Sequence, residues 1–313
     1  MPAPPAEGIV ECVPNVSEGR DHAALGRFAD AIRAVPGVTL MNVHADPDHH
    51  RSVFSFLGTP AGVEDAVLAL AGSVLAAVDM RLHRGIHPRL GALDVVPFVP
   101  LAGLSMADAV ALAQRAGAAI AARFALPVFY YGAAARRETR RRLPDIRRGQ
   151  YDRLAARLAS PDGAPDEGPA RFDPRSGAVI VGARDILVAF NVWLDTADLA
   201  TARAIARAVR ESSGGLPAVQ AMGVALASRG LVQVSMNLLD DRVTSIPVAY
   251  DRVVDEARRR GMTVLRGELV GVAPRAAFAA RAPESVGLPD FTPDLYLDSY
   301  LAPGAPARSR GSS

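Results

Sequence analysis

Apolar residues fall into short blocks whose period switches between two and about 3.6 along the chain. Residues 9–13 form an apolar block that Pro14-Asn15 ends, which predicts a strand. Over 21–35, Ala24, Leu25, Phe28 and Ile32 recur at helical spacing until Pro36-Gly37 stops the pattern. Strands are predicted at 38–43 and 52–57, around the turn-rich His44-Ala45-Asp46-Pro47-Asp48-His49-His50-Arg51. Thr59 as N-cap and Pro60 at the first helical position open a helix to about Val78. Residues 93–99, bounded by Gly91 and Pro100, read as a buried strand. The order is strand, helix, strand, strand, helix, strand.

A helix at 105–124, a strand at 128–131 and an Arg-rich helical segment at 136–158 extend this unit. The stretch 160–177, with four prolines, reads as the passage between domains. After it the alternation returns. A strand at 186–194 precedes a helix capped by Asp195-Thr196, with Leu199, Ile205, Ala206 and Val209 on its apolar face and Gly214-Gly215 at its end. Strands at 218–226 and 231–238, a helix at 247–260 and a strand at 263–269 complete a second unit. The pattern predicts an α+β protein of two ferredoxin-like (βαββαβ) subdomains, over 1–183 and 184–301, with a cleft between them. Residues 302–313, rich in Pro, Gly, Ser and Arg, are expected to be a disordered tail.

Composition narrows the function classes. The net charge is only +2, which argues against a nucleic-acid binder. All 35 basic residues are Arg, so lysine Schiff-base chemistry is unavailable. Cys12 stands alone, leaving no intramolecular disulfide and no cysteine zinc cluster. The first eight residues show no signal-peptide pattern, and the longest apolar stretches, such as 66–78, are too short to span a bilayer. A cytoplasmic protein without a membrane partner is expected.

Candidate chemistry concentrates at 79–100, where His83, His87, Arg81, Arg84 and Arg89 lead into the strand at 93–99. All six histidines precede residue 90, and the topology can bring His44, Asp46, Asp48, His49 and His50 near His83, His87 and Asp94. Three readings stay open: a metal site, a neutral imidazole oriented by a carboxylate as acid and base, or solvated turn residues at strand ends. Val16-Ser17-Glu18-Gly19-Arg20-Asp21 reads as a helix cap that could also hold an anion. The Arg runs at 136–142 and 147–148 read as solvated faces.

Several stretches together resemble the glutamate formimidoyltransferase family. They are Glu11-Cys12-Val13-Pro14-Asn15-Val16-Ser17-Glu18-Gly19, Asp79-Met80, Gly85-Ile86-His87-Pro88-Arg89-Leu90-Gly91-Ala92-Leu93-Asp94 and Gly182-Ala183-Arg184-Asp185-Ile186-Leu187-Val188-Ala189-Phe190-Asn191. Val232-Gln233-Val234-Ser235-Met236-Asn237-Leu238 and Glu268-Leu269-Val270-Gly271 complete a likeness running from about residue 8 to about residue 280. Animal members carry a further helical cyclodeaminase domain, which is not expected in this chain. Some animal members have Asp where His44 stands, so no role passes to His44.

The resemblance implies transfer of a formimidoyl group from N-formimidoyl-L-glutamate to tetrahydrofolate, the step that ends histidine degradation. Tetrahydrofolate would be a co-substrate, no metal would be used, and a homodimer is expected. The catalytic histidine falls on His87, with Asp94 or Asp46 as the carboxylate beside the cationic amidine. The folate-binding segment falls on Gly168, Pro169, Ala170, Arg171, Phe172, Asp173, Pro174, Arg175, Ser176 and Gly177. Arg51, Arg84, Arg89 and Arg184 are candidates for the substrate carboxylates, chosen from their positions beside the motifs. A formyl donor, another amine, a non-catalytic folate binder and a metallohydrolase are the alternatives.

Overall fold

The computed structural model describes residues 8–301, so the expected tail at 302–313 lies outside the described residues. The chain divides between Arg184 and Asp185 into two compact units.

In the first unit Pro14, which cannot donate to a sheet ladder, breaks the opening strand into β1 (Val10–Cys12) and β2 (Asn15–Val16). The chain continues through α1 (His22–Arg33), β3 (Val38–Asp46), β4 (Arg51–Gly58), α2 (Pro60–Ala77) and β5 (Leu93–Pro100). Asp21 caps α1 by accepting from the Ala24 N–H, and Thr59 caps α2 by accepting from Gly62. β1 and β2 each lie antiparallel between β4 and β5, and β3 pairs outside β4. The strand order β3, β4, β1 with β2, β5 is the predicted ferredoxin-like arrangement.

Beyond β5 the chain runs through α3 (Met106–Phe124), closed at its start by a Ser105–Asp108 capping box, to β6 (Val128–Gly132). The predicted Arg-rich helix breaks into short turns around α4 (Leu143–Ile146) and α5 (Leu154–Leu158). Pro144 permits a helix start but not a continuation. Gly149 and Gln150 then take positive φ of 82° and 53°, which no helix tolerates. Residues 160–177 do not join the two units. They return the chain to the same sheet as β7 (Val179–Ala183), which pairs parallel with both β5 and β6. The domain passage is therefore not the Pro-rich stretch.

Strand alternation divides the sheet's side chains between two faces. Val10, Cys12, Phe54, Phe56, Val96 and Phe98 join α1, α2 and α3 in the main core. Leu90, Val95, Phe129, Tyr131 and Ile180 face the other way, packed with Ile146, Leu154 and Leu158. α2 is apolar enough by length and composition to cross a membrane. Its Val63, Ala66, Val67, Leu70, Ala71 and Val74 are instead buried in the main core.

The second unit is β8 (Val188–Leu194), α6 (Leu199–Val209), β9 (Val219–Leu226), β10 (Leu231–Leu238), α7 (Ile246–Arg258) and β11 (Val264–Val270), followed by a short helix, α8 (Asp298–Leu301). Its strands run β11, β8, β10, β9, all antiparallel, which is a second ferredoxin-like sheet. α6 is capped by Asp198, which accepts from the Ala200 and Thr201 N–H groups, rather than by Asp195-Thr196. Thr196 instead accepts from the Asp198 N–H and sets up that cap.

Candidate active site

Asp94 occupies a β-bulge. Asn15 on β2 faces Val95 and Val16 faces Leu93, so no residue of β2 stands opposite Asp94. The side chain is fully buried, and each of its oxygens is committed. Oδ1 accepts from the Leu90 N–H at 2.7 Å. Oδ2 accepts from Arg51 Nη1 at 2.7 Å and closely from Arg147 Nη2. Burial pushes this carboxyl up, but the charges of Arg147 and Arg51, with their hydrogen bonds and that of Leu90, bring it below its ordinary range. Arg51, the first residue of β4, also donates from Nε to Asn15 Oδ1 at 3.0 Å. Burial draws Arg51 down to about 10, opposed by Asp94, so it stays a cation at neutral pH.

His87 stands beside this cluster. Its Nδ1 lies 2.8 Å from the Pro88 carbonyl oxygen. A carbonyl can only accept, so Nδ1 carries the proton and Nε2 keeps its lone pair. Burial, then the charges of Arg51 and Arg147, hold the imidazole well below its ordinary protonation range. The His87 ring is neutral at pH 7, in the tautomer of a base. Its neighbour His49 lies 5.7 Å away, ring centre to ring centre.

The turn between β3 and β4 braces the loop that carries His87. His83 Nε2 donates to the His50 carbonyl at 2.8 Å, and the two rings stack with centres 4.3 Å apart. The Arg84 N–H points at His50 Nδ1 at 3.4 Å, which leaves His50 Nε2 to donate to Glu18 Oε1 at 3.2 Å. That Glu18 oxygen also accepts the N–H groups of Gly19, Arg20 and Asp21, so Val16–Asp21 holds a carboxylate of its own chain. Burial lowers His83 to about 4, making it a neutral packing residue.

The other sequence candidates separate into two groups. Asp46 accepts the His49 N–H at 2.7 Å and shapes the turn. Arg84 donates to the carbonyls of Arg81 and His83 and so belongs to the loop's own scaffold. Arg89 keeps a buried Nε that has no hydrogen-bond partner among the described residues. Arg184 bonds by its backbone N–H to Phe98, with its guanidinium beside Tyr131 and Glu11.

Within 168–177, Arg171, Pro174 and Arg175 are exposed, whereas Gly177 is buried and bridges to Gly91. Gly168 and Gly177 have φ of 78° and 73°. The Phe172 ring meets Tyr151, Asp173 accepts the Arg175 N–H, and the Ser176 carbonyl accepts the Ala92 N–H. Pro169 is half-buried and Ala170 is exposed. The segment thus borders the strand bearing Asp94.

Arg147 was hidden in the sequence. It sits in an Arg run that reads as solvated, yet its guanidinium completes the Asp94 cluster. In the second unit the matching motifs form a polar sheet face. There Asn191 Nδ2 and Trp193 Nε1 donate to Glu268 Oε2 at 2.8 and 3.3 Å. Among the described residues no three His, Cys, Asp or Glu side chains converge as a set of metal ligands.

Residues 9–184 match the N-terminal subdomain of the formiminotransferase domain, and residues 189–283 match the formiminotransferase domain. A glutamate formimidoyltransferase of Streptococcus pyogenes is 37% identical over 90% of this chain and 95% of its own length. A glutamate formimidoyltransferase of Thermoplasma acidophilum is 41% identical over 86% of this chain and 89% of its own. The formimidoyltransferase-cyclodeaminase of Rattus norvegicus is 40% identical over 86% of this chain, which spans about half (51%) of that longer protein. The chain belongs to the formiminotransferase domain family.

Proposed function

We propose that this protein transfers the formimidoyl group of N-formimidoyl-L-glutamate to tetrahydrofolate, releasing L-glutamate and 5-formimidoyltetrahydrofolate. The observation that carries the mechanism is the His87 tautomer, with Nδ1–H tied to the Pro88 carbonyl and Nε2 left as a base. N5 of tetrahydrofolate attacks the amidine carbon and gives its proton to His87 Nε2. The carbon–nitrogen bond to glutamate then breaks, and the imidazolium returns that proton to the departing nitrogen. A strongly depressed imidazole favours this second transfer, because it gives up its proton readily.

Asp94, with both oxygens engaged, acts by fixing Arg51 and Arg147 next to His87. Arg89, with its unpartnered Nε, suits a substrate carboxylate. The segment 168–177 is assigned to folate by family resemblance, and a metal-free cytoplasmic homodimer accompanies this reading. The test is to incubate the protein with both substrates, acidify, and read the absorbance of 5,10-methenyltetrahydrofolate. Signal that needs both substrates and grows with protein concentration is expected. No signal, or equal signal from a formyl donor, contradicts the assignment.

A further inference from the structure

The stretch between α4 and α5 makes an abrupt turn that its sequence does not favour. Gly149 takes φ of 82°, and Gln150 follows with φ 53° and ψ −159°, a region essentially open only to glycine. A residue other than glycine stays there only where the surrounding structure holds it. Before the turn, Ile146 is buried and Arg147 reaches Asp94. After it, Leu154 is buried, and Tyr151 contacts two other stretches of the first unit.

The Tyr151 N–H donates to the Arg89 carbonyl at 2.9 Å. The same peptide group, at its other end, sends the Leu90 N–H to Asp94 Oδ1 at 2.7 Å. Tyr151 and Asp94 thus hold that peptide from both ends, next to the Pro88 carbonyl that fixes His87 Nδ1. The Tyr151 hydroxyl donates to the Pro174 carbonyl, and its ring lies 5.5 Å from that of Phe172, centre to centre. Burial, then the charges of Asp79 and Asp173, raise the phenol, so it keeps its proton and donates at neutral pH. Beyond Pro174, the Met80 and Ala92 N–H groups donate to the Arg175 and Ser176 carbonyls, both at 2.9 Å.

We propose that Tyr151 is a positioning residue that locks the His87 loop and the 168–177 segment into one arrangement, through Arg89, Pro174 and Phe172. Its consequence for turnover rests on the reading of that segment as the folate-binding one. The contact to Arg89 comes from the backbone, whereas the hydroxyl and the ring are what the side chain adds. Losing them frees the segment relative to His87, and misalignment of N5 costs rate even where both substrates still bind. The strained turn lies between the two anchors, Arg147 on Asp94 and Tyr151 on Arg89, and their contacts offset its cost.

The experiment compares wild type with Tyr151→Phe, which removes the hydroxyl alone, with Phe172→Leu and with the double variant, all as the full chain. Amide hydrogen exchange reads the clamp without substrate. In Tyr151→Phe the Met80 and Ala92 amides exchange about five- to tenfold faster, while the Val234 amide on β10 is unchanged. kcat/KM for tetrahydrofolate falls about tenfold, and equilibrium affinity for formimidoylglutamate keeps its wild-type value. The double variant loses less than the product of the two single losses, because both side chains hold one segment. Wild-type exchange at Met80 and Ala92 in Tyr151→Phe overturns the proposal. So does faster exchange throughout the first unit, an equal loss for both substrates, or losses that multiply. A wild type with no turnover of tetrahydrofolate removes the co-substrate reading, and the exchange rates then decide the clamp alone.

Discussion

At the scale of single residues, the decisive feature is the division of labour between a neutral imidazole and a fully engaged carboxylate. His87, Asp94 and Arg51 were identifiable as candidates in the sequence, because they sit in or beside the quoted motifs. Their roles were not. A carboxylate near a cationic amidine invites a direct electrostatic role, whereas Asp94 spends both oxygens on Leu90, Arg51 and Arg147. Arg147 was illegible because its partner lies 53 residues away and it adjoins Arg148, an exposed arginine. Removing one member of a buried ion cluster leaves the others uncompensated. Asp94→Asn is therefore expected to destabilise the fold by about 3–5 kcal/mol and to depress turnover, measured by denaturant unfolding and by the 5,10-methenyltetrahydrofolate absorbance after acidification. Wild-type stability in that variant would remove Asp94 as the organiser of the two arginines. The depressed His87 also sets the pH profile. The acid limb of kcat/KM should fall below the ordinary imidazole range near 6.5.

At the scale of elements, the two ferredoxin-like orders were readable from alternation because most strands bury one face and most helices one stripe. β7 escaped because a parallel strand buried on both faces shows no alternation and follows a Pro-rich stretch that resembles a linker. Close packing of Gly91 against the end of the 168–177 segment fixes where that strand enters. A Cβ at Gly91 would lie 2.3 Å from the Ala178 carbonyl oxygen and 2.6 Å from that of Ser176, both rigid backbone. Gly91→Ala should cost about 1–3 kcal/mol and weaken folate binding, read by thermal unfolding and by titration. Stability equal to wild type would mean that the segment moves freely there.

The turn carrying His50 and the loop carrying His83 make a second element-scale prediction. His83 is lowered to about 4 in the fold against about 6.5 unfolded. Its neutral form is favoured by folding, so its contribution is complete above about pH 6.5 and is lost as pH falls toward 4. Melting temperature measured from pH 7 to 4 should therefore drop less steeply in His83→Gln than in wild type. Parallel curves would show that His83 titrates normally in the native state.

At the scale of the molecule, two sheets that share a ferredoxin-like strand order, the first extended by β6 and β7, carry different polar faces, and the chemistry proposed here uses no metal. Turnover should be unchanged by EDTA. Loss of activity with EDTA, restored by a divalent cation, would reopen the histidine cluster as a ligand set. The central claim is that His87 moves the proton during formimidoyl transfer, and single-turnover kinetics test it most directly. With both substrates saturating, His87→Ala should slow transfer by a factor of roughly a hundred to ten thousand. Substrate affinities should stay near wild type, and His83→Ala should be much milder because its ring only braces the loop. Near wild-type transfer by His87→Ala beside an inactive His83→Ala would contradict the account.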